Sequence, residues 1–422
     1  MKDFQTLLKT PRFINLWFSQ ILSQLTVNIM NFLLLTKLFT STGSTIATSL
    51  LWVAYALPAI LVGPIGAASV DIISRRKTLM ITNLLQSLTI FGFLLTNQSS
   101  IFILYAVVLL YSLFNQFYVP AESSSLPSLV AKNQYAHANS LFFITQQSSL
   151  VLGFALAGIL QGFIGFTLSL ALCAVFLFLA FVSTVFLPEI KPSRKVPAAF
   201  DKLLGLFFQS IYEGYKFINN NHAILFPLIL LLGMQVSLAV IIVNLPVIAT
   251  QILNVSVNYV GFLVVVPAGI GAIIGSFIIP RRLKKDWRKK SVIEVGAALL
   301  SFGILLLVFL IPLIPIVLRL VFEPIFVVLI GFGYICVTIP TLTHLQEATP
   351  LWLRGRVFGN LWFLTTIATI FPVIFSGVIT QLFGIKTLLV ILMLATMYVF
   401  YYSKRNGQRF ISEHFEPNGN EK

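Results

Sequence analysis

The sequence predicts an all-α membrane protein of twelve transmembrane helices in two pseudo-symmetric six-helix halves. Three observations carry this expectation. The 422-residue chain has a mean hydropathy of +0.95 and only 10% charged residues, which excludes a soluble globular protein. Its apolar residues gather into about twelve stretches, each near the ~20 residues a helix needs to cross a bilayer. Its positive charge falls in every second gap between those stretches. One set of gaps holds Arg75, Arg76, Lys77, Lys132, Lys191, Arg194, Lys195, Lys202, Lys216, Arg281, Arg282, Lys284, Lys285, Arg288, Lys289, Lys290, Arg354 and Arg356. Both termini join that set through Lys2, Lys9, Arg12, Lys404, Arg405, Arg409 and Lys422. Only Lys37 and Lys386 lie on the other side, at segment edges. The positive-inside rule then places both termini in the cytoplasm of a cell (cytoplasmic) membrane protein. The net charge of +15 matches loops that face an anionic leaflet, so no nucleic-acid partner is implied.

The expected spans are 13–38, 47–70, 78–96, 100–119, 138–162, 165–187, 223–248, 257–280, 291–311, 316–340, 357–383 and 386–403. Long continuous apolar runs exclude a transmembrane barrel, whose strands alternate over ~10 residues. Residues Met1 to Arg12 are short and amphipathic with no cleavage site after them, so the first span is expected to be retained. The outer connections Thr40–Thr45, Asn97–Ser100 and Gly162–Phe166 leave no room for an extracellular receptor domain. The longest internal gap opens with the polar run Pro188-Glu189-Ile190-Lys191-Pro192-Ser193-Arg194-Lys195. It continues with Phe200, Leu203, Leu204, Phe207, Phe208, Ile211, Tyr215 and Ile218 on one helical face. That face suits a helix lying in the membrane interface or packed under the bundle. The organisation expected is therefore 1–190 as the first half, 191–222 as a cytoplasmic linker with an amphipathic helix, 223–404 as the second half and 405–422 as a cytoplasmic tail.

The halves look related. Each has a basic loop after its second span, and each second span is rich in glycine near that loop: Gly63 and Gly66 in one, Gly269, Gly271 and Gly275 in the other. Small residues so spaced let helices approach closely. Paired six-helix halves are the architecture of a large class of secondary transporters.

Three stretches narrow this further. The loop after the second span reads Gly63-Pro64-Ile65-Gly66-Ala67-Ala68-Ser69-Val70-Asp71-Ile72-Ile73-Ser74-Arg75-Arg76. Phe117-Tyr118-Val119-Pro120-Ala121 continues to Leu126-Pro127-Ser128-Leu129-Val130 and Ala138-Asn139-Ser140. Gln346-Glu347-Ala348-Thr349-Pro350 precedes Arg354-Gly355-Arg356-Val357. The first resembles the signature loop of the major facilitator superfamily; the other two resemble its branch of enterobactin exporters and macrolide-efflux proteins. The resemblance implies the major facilitator fold and export of small amphipathic or apolar molecules by alternating access. It also implies a conformational latch from Gly66, Asp71, Arg75 and Arg76, with Asp71 near a helix N-terminus or an arginine of its own half. The plainer reading is that the basic residues only set topology. Ile72 and Ser74 depart from the family pattern, and Pro280 stands where the second half would carry its matching acid.

Ionisable groups inside spans are costly and become functional candidates. The tenth span carries Arg319 and Glu323 one turn apart. They suit a substrate or proton site, or an i,i+4 ion pair with Arg319 reaching outward. Glu294 reads as interfacial, and Glu122 as lying just past the fourth span with a loop or gating role. In the first span Gln20, Gln24, Asn28 and Asn31 form one stripe that serves either an aqueous cavity or interhelix bonding. The acid the resembled branch often carries there is missing, with Thr26-Val27 in its place. Tyr111, Asn115, Gln146, Gln147, Gln235 and Asn360 are further substrate candidates, though each such residue alone more often serves helix packing than ligand contact. In the fifth span Gly153-Phe154-Ala155-Leu156-Ala157-Gly158 has Phe154 where many antiporters have proline.

Cys173 and Cys336 lie mid-span and read as small packing residues. His137, His222, His344 and His414 sit outside span centres with no metal spacing. No Walker loop or nucleophile elbow is present, so neither ATP hydrolysis nor another enzyme activity is expected, and no cofactor is implied. The expectation is a proton-coupled exporter, acting as a monomer among membrane lipids on a small-molecule substrate, with Glu323 as the coupling acid. Uptake, facilitated diffusion or lipid movement by the same fold is one alternative; a non-transporting sensor or assembly partner is another.

Overall fold

The computed structural model describes residues 7–69, 73–96, 98, 100–131, 134–189, 215, 222–283, 287–350 and 354–405. Among them the chain is helical, without strands. In chain order the helices are α1 (Pro11–Thr42), α2 (Thr45–Leu61), the short α3 (Gly63–Ser69), α4 (Arg75–Leu94), α5 (Ile101–Leu129) and α6 (Tyr135–Val185). They continue as α7 (His222–Val247), α8 (Val266–Leu283), α9 (Lys289–Leu305), α10 (Ile316–Ala348), α11 (Arg354–Phe383) and α12 (Ile385–Arg405). Gly165, at φ 78°, breaks α6 into two spans. With that break every expected span has its helix.

Local chemistry sets the boundaries. Pro11 opens α1, where its missing N–H is no loss. Gly43, at φ 63°, ends α1 by turning its N–H back to the Phe39 carbonyl. The Ser44 side chain then accepts from the Ala47 amide and starts α2. The fourth helix runs further than its sequence suggested: Pro120 and Pro127 lie inside α5. The Ser124 hydroxyl donates to the Pro120 carbonyl at 2.7 Å and the Ser125 hydroxyl to the Ala121 carbonyl at 2.6 Å, adding side-chain bonds along this stretch of the helix. Glu122 is consequently a buried helical residue rather than a loop residue.

The described helices are arranged for an apolar solvent. Nine are long and apolar enough to cross a membrane. Helix α4 shows why length and hydropathy alone miss a span. Its buried face carries the polar Thr78, Thr82, Asn83, Gln86 and Ser87 beside Leu79, Ile90 and Phe93, while Ile81, Leu88 and Phe91 point outward. Between helices in lipid the hydrophobic drive is weak, so close approach and interhelical hydrogen bonds hold them together. The protein is a multi-pass membrane protein.

Contacts divide the chain into two compact units: Met1–Phe207 with Ser256–Phe262, and Phe208–Val255 with Leu263–Lys422. The excursion Ser256–Phe262 joins the first unit because glycines let backbones meet. Gly158 lies against the Asn258 carbonyl and Gly261 against that of Phe154. Within each unit the helix pairing repeats. In the first, α5 packs on α2 and α4, and α1 packs on α6. In the second, α10 packs on α8 and α9, and α7 packs on α11. Ser87 of α4 donates to the Ala174 carbonyl, and Ser301, equally far into α9, bonds Thr396. Glycines again mark the crossings: Gly66 lies on the Gln116 backbone, Gly271 on Val328 and Gly331 on Ala268. Cys173 and Cys336 are both buried. Of the expected linker 191–222, only Tyr215 and His222 are described, so its amphipathic face lies outside the described residues.

Candidate functional site

In the second unit, Glu323 of α10 is 1% exposed, and neither carboxyl oxygen has a hydrogen-bond partner among the described residues. Arg319, one turn earlier, does not pair with it. Its Nε donates to the Ile314 carbonyl at 2.8 Å and its Nη2 to the Pro312 carbonyl at 2.9 Å. With the Asn254 amide turned so that its nitrogen donates to the Thr250 carbonyl, its oxygen accepts from Arg319 Nη1 at 2.9 Å. Asn254 itself sits in the left-handed region at φ 56°, ending the π-helical turn Ile248–Leu253 that follows α7. The i,i+4 ion pair expected from sequence is therefore replaced by a guanidinium clamp. Three neutral oxygens at the start of α10 and the end of α7 are nearer than the carboxylate, and the planar fork fits them. Glu323 is left as an acid without counter-ion in a setting where an unpaired charge is very costly. Such a group is suited to exchanging a proton.

Gln235 is half-buried on α7, with its Oε1 accepting from the Tyr334 hydroxyl at 3.3 Å. Asn360 lies on α11, but its side chain is outside the described residues. In the first unit the amide stripe of α1 meets α6. The Gln20 amide donates to the Phe142 carbonyl at 3.2 Å, and Asn28 packs on Gly153 while donating to the Gln24 carbonyl at 2.8 Å. At these two positions the stripe serves interhelix contact; Gln24 and Asn31 are half-buried. Tyr111 is fully buried, and Asn115 donates to the Tyr55 hydroxyl at 3.5 Å. Gln146 and Gln147 are exposed on α6.

Asp71 lies outside the described residues. The other members of the expected latch are placed. Gly66 is pressed on the α5 backbone. Arg75 Nη1 donates to the Ser124 carbonyl at 3.0 Å and meets Ser128 Oγ at 3.3 Å; Arg76 donates to the Val185 carbonyl. The basic pair thus ties the start of α4 to the C-terminal ends of α5 and α6. Beside it runs a buried polar chain that the sequence reading missed. Asn83 Nδ2 donates to Ser19 Oγ at 3.1 Å, Ser19 Oγ lies 3.4 Å from the Tyr118 hydroxyl, and that hydroxyl donates to Glu122 at 2.8 Å. The signal was present as Asn83 and Gln86 one turn apart in a span, and as Ser19, Ser23 and Thr26 on a second face of α1.

A family model described as Major Facilitator Superfamily matches residues 16–373. The chain belongs to this superfamily. Among its relatives is the uncharacterized MFS-type transporter YfiS of Bacillus subtilis (strain 168), 25% identical over 350 residues, or 82% of this chain and 80% of YfiS. Its fold is similar to a bacterial homolog of the human lysosomal transporter Spinster in an inward-facing, unoccupied conformation (TM-score 0.74, 12% identity, 97% of this chain and 99% of that one). It is also similar to the nucleoside transporter NupG (TM-score 0.68, 14% identity, 93% and 98%) and to the POT family transporter PepTSo (TM-score 0.68, 12% identity, 96% and 99%). At these identities the likeness shows the fold alone. In this superfamily member the repeated helix pairing of the two units is the two-half architecture of the fold.

Proposed function

We propose that the protein is a secondary active transporter that exports small amphipathic or apolar compounds, of the drug, macrolide or siderophore class, by alternating access coupled to protons. The observation that carries the coupling is Glu323, a fully buried acid without a partner among the described residues. Proton binding removes the cost of its charge, and proton loss restores it, so the acid favours different surroundings in its two states. Superfamily membership supports transport, and the Phe117 to Ser140 and Gln346 to Val357 stretches support the export branch. The protein is taken to be a monomer in the cytoplasmic membrane, with both termini in the cytoplasm. The test is accumulation of fluorescent dyes, macrolides and siderophores in efflux-deficient cells. Wild type should lower accumulation of at least one compound, and a protonophore should abolish the difference. Glu323→Gln should accumulate that compound to the level of the empty vector while expressing normally. Driven efflux at wild-type level by Glu323→Gln would sink the coupling assignment.

A second reading, uptake or facilitated diffusion, draws on the absence of an acid from α1. Substrate flux in proteoliposomes without any ion gradient would favour it.

A further inference from the structure

The first unit contains a buried acid that the proposed coupling does not use. Glu122 is 5% exposed and lies seven residues before the end of α5, roughly 10 Å by helical rise. It has no Lys, Arg or His counter-ion among the described residues. None of the charged groups on the helices packed against α5 forms an ion pair with Glu122 among the described residues. On α1, Arg12 is exposed, and Lys37 sits over the Phe166 ring. On α2, Tyr55 accepts from Asn115. The described α3 carries none. On α4, Arg75 and Arg76 bond Ser124, Ser128 and Val185, and Lys77 is exposed. On α6, Tyr135 donates to the Pro127 carbonyl, and His137 makes no ion pair with Glu122. On α5 itself, Tyr105 donates to the Ala47 carbonyl, Tyr111 is buried, and Tyr118 bonds Glu122.

What reaches Glu122 is a line of hydrogens. The Asn83 amide nitrogen can only donate, and it donates to Ser19. With one Ser19 lone pair so used, the Ser19 hydroxyl is placed to donate to Tyr118, whose own hydrogen goes to Glu122. Every bond of the chain can run toward the carboxyl, and bonds aligned this way strengthen one another. We infer that Glu122 is a second proton-binding site, housed entirely in the first unit and read out by the Asn83–Ser19–Tyr118 chain that joins α4, α1 and α5. A metal cation would need lone pairs around the acid; its hydrogen-bond partner, the Tyr118 hydroxyl, presents a hydrogen instead. The ligand is the proton. Ionised Glu122 draws on the whole chain and tightens the joint of the three helices. Protonated Glu122 is a weaker acceptor and relaxes it.

The experiment is infrared difference spectroscopy of the full-length protein in lipid nanodiscs during a pH titration. The carbonyl stretch of a protonated carboxylic acid is separated from ionised carboxylate and amide bands. The wild type should gain such a band on acidification. Glu122→Gln should lose it; Glu323→Gln should keep it, so failure here is distinct from failure of the coupling assignment. Tyr118→Phe should keep the band at higher frequency, because the carboxyl has lost its hydrogen-bond donor. If Glu122→Gln does not fold, Tyr118→Phe alone decides. An unchanged spectrum in either variant would overturn the inference. So would loss of the band when sodium replaces potassium at constant pH, which would mark a cation site.

Discussion

Arg319 donates to three oxygens and, among the described residues, to no carboxylate, and that geometry decides what the residue does. A guanidinium that closes the carbonyls of Pro312 and Ile314 and the amide of Asn254 acts as a structural clamp on the start of α10. Arg319→Ala leaves those acceptors short of donors, a loss of about 1–3 kcal/mol. The melting temperature in detergent should fall measurably, and Arg319→Lys should recover little of it, because an ammonium cannot reproduce the fork. An unchanged melting temperature with lost transport would instead make Arg319 a substrate contact. Glu323 and Arg319 look alike in sequence, as intramembrane charges one turn apart. Only the positions of backbone carbonyls from other segments separate the satisfied group from the unsatisfied one.

Helices in this protein approach through glycine, and the effect is specific to position. Gly331 lies on the Ala268 backbone, whereas Gly233 of α7 has nothing within 4 Å of where a Cβ would stand. Gly331→Ala should force α8 and α10 apart and cost about 1–3 kcal/mol, as overpacking does. Gly233→Ala should be neutral to within about 1 kcal/mol. Thermal unfolding of the two variants side by side checks this; equal melting temperatures would remove the close crossing. Helix α4 shows the same logic in its polar groups. Its buried Asn83, Gln86 and Ser87 bond neighbouring helices while Ile81, Leu88 and Phe91 face outward. A sequence pattern signals that such a helix is two-faced but does not say which face is inside; the solvent decides.

For the molecule as a whole, orientation rests on the alternation of basic loops. Ser41 lies in the last turn of α1, next to the connection to α2, and Ala131 in the connection between α5 and α6; both are exposed. The native Cys173 and Cys336 are buried and form a silent background. Ser41→Cys should react with a membrane-impermeant thiol reagent on intact cells, and Ala131→Cys only after permeabilisation. The reverse pattern would invert the proposed topology. The twelve spans, their grouping by six and the family were legible because bilayer thickness and loop charge act on every residue of a segment and leave a long, redundant record. The loop Gly63–Arg76 added a local motif whose glycine is now seen against α5.

Sequence alone therefore determined that this chain crosses a membrane many times, where its helices lie and which superfamily it belongs to. Tertiary structure decided which polar residues are matched. It turned Gln20 and Asn28 toward α6, separated Arg319 from Glu323, drew Glu122 into a helix end expected to be a loop, and assembled Asn83, Ser19, Tyr118 and Glu122 from three helices. It also assigned Ser256–Phe262 to the first unit. The physical reason is the range of the forces. Burial in lipid is a property of a segment and is written along it, whereas a hydrogen bond extends about 3 Å and depends on partners distant in the chain.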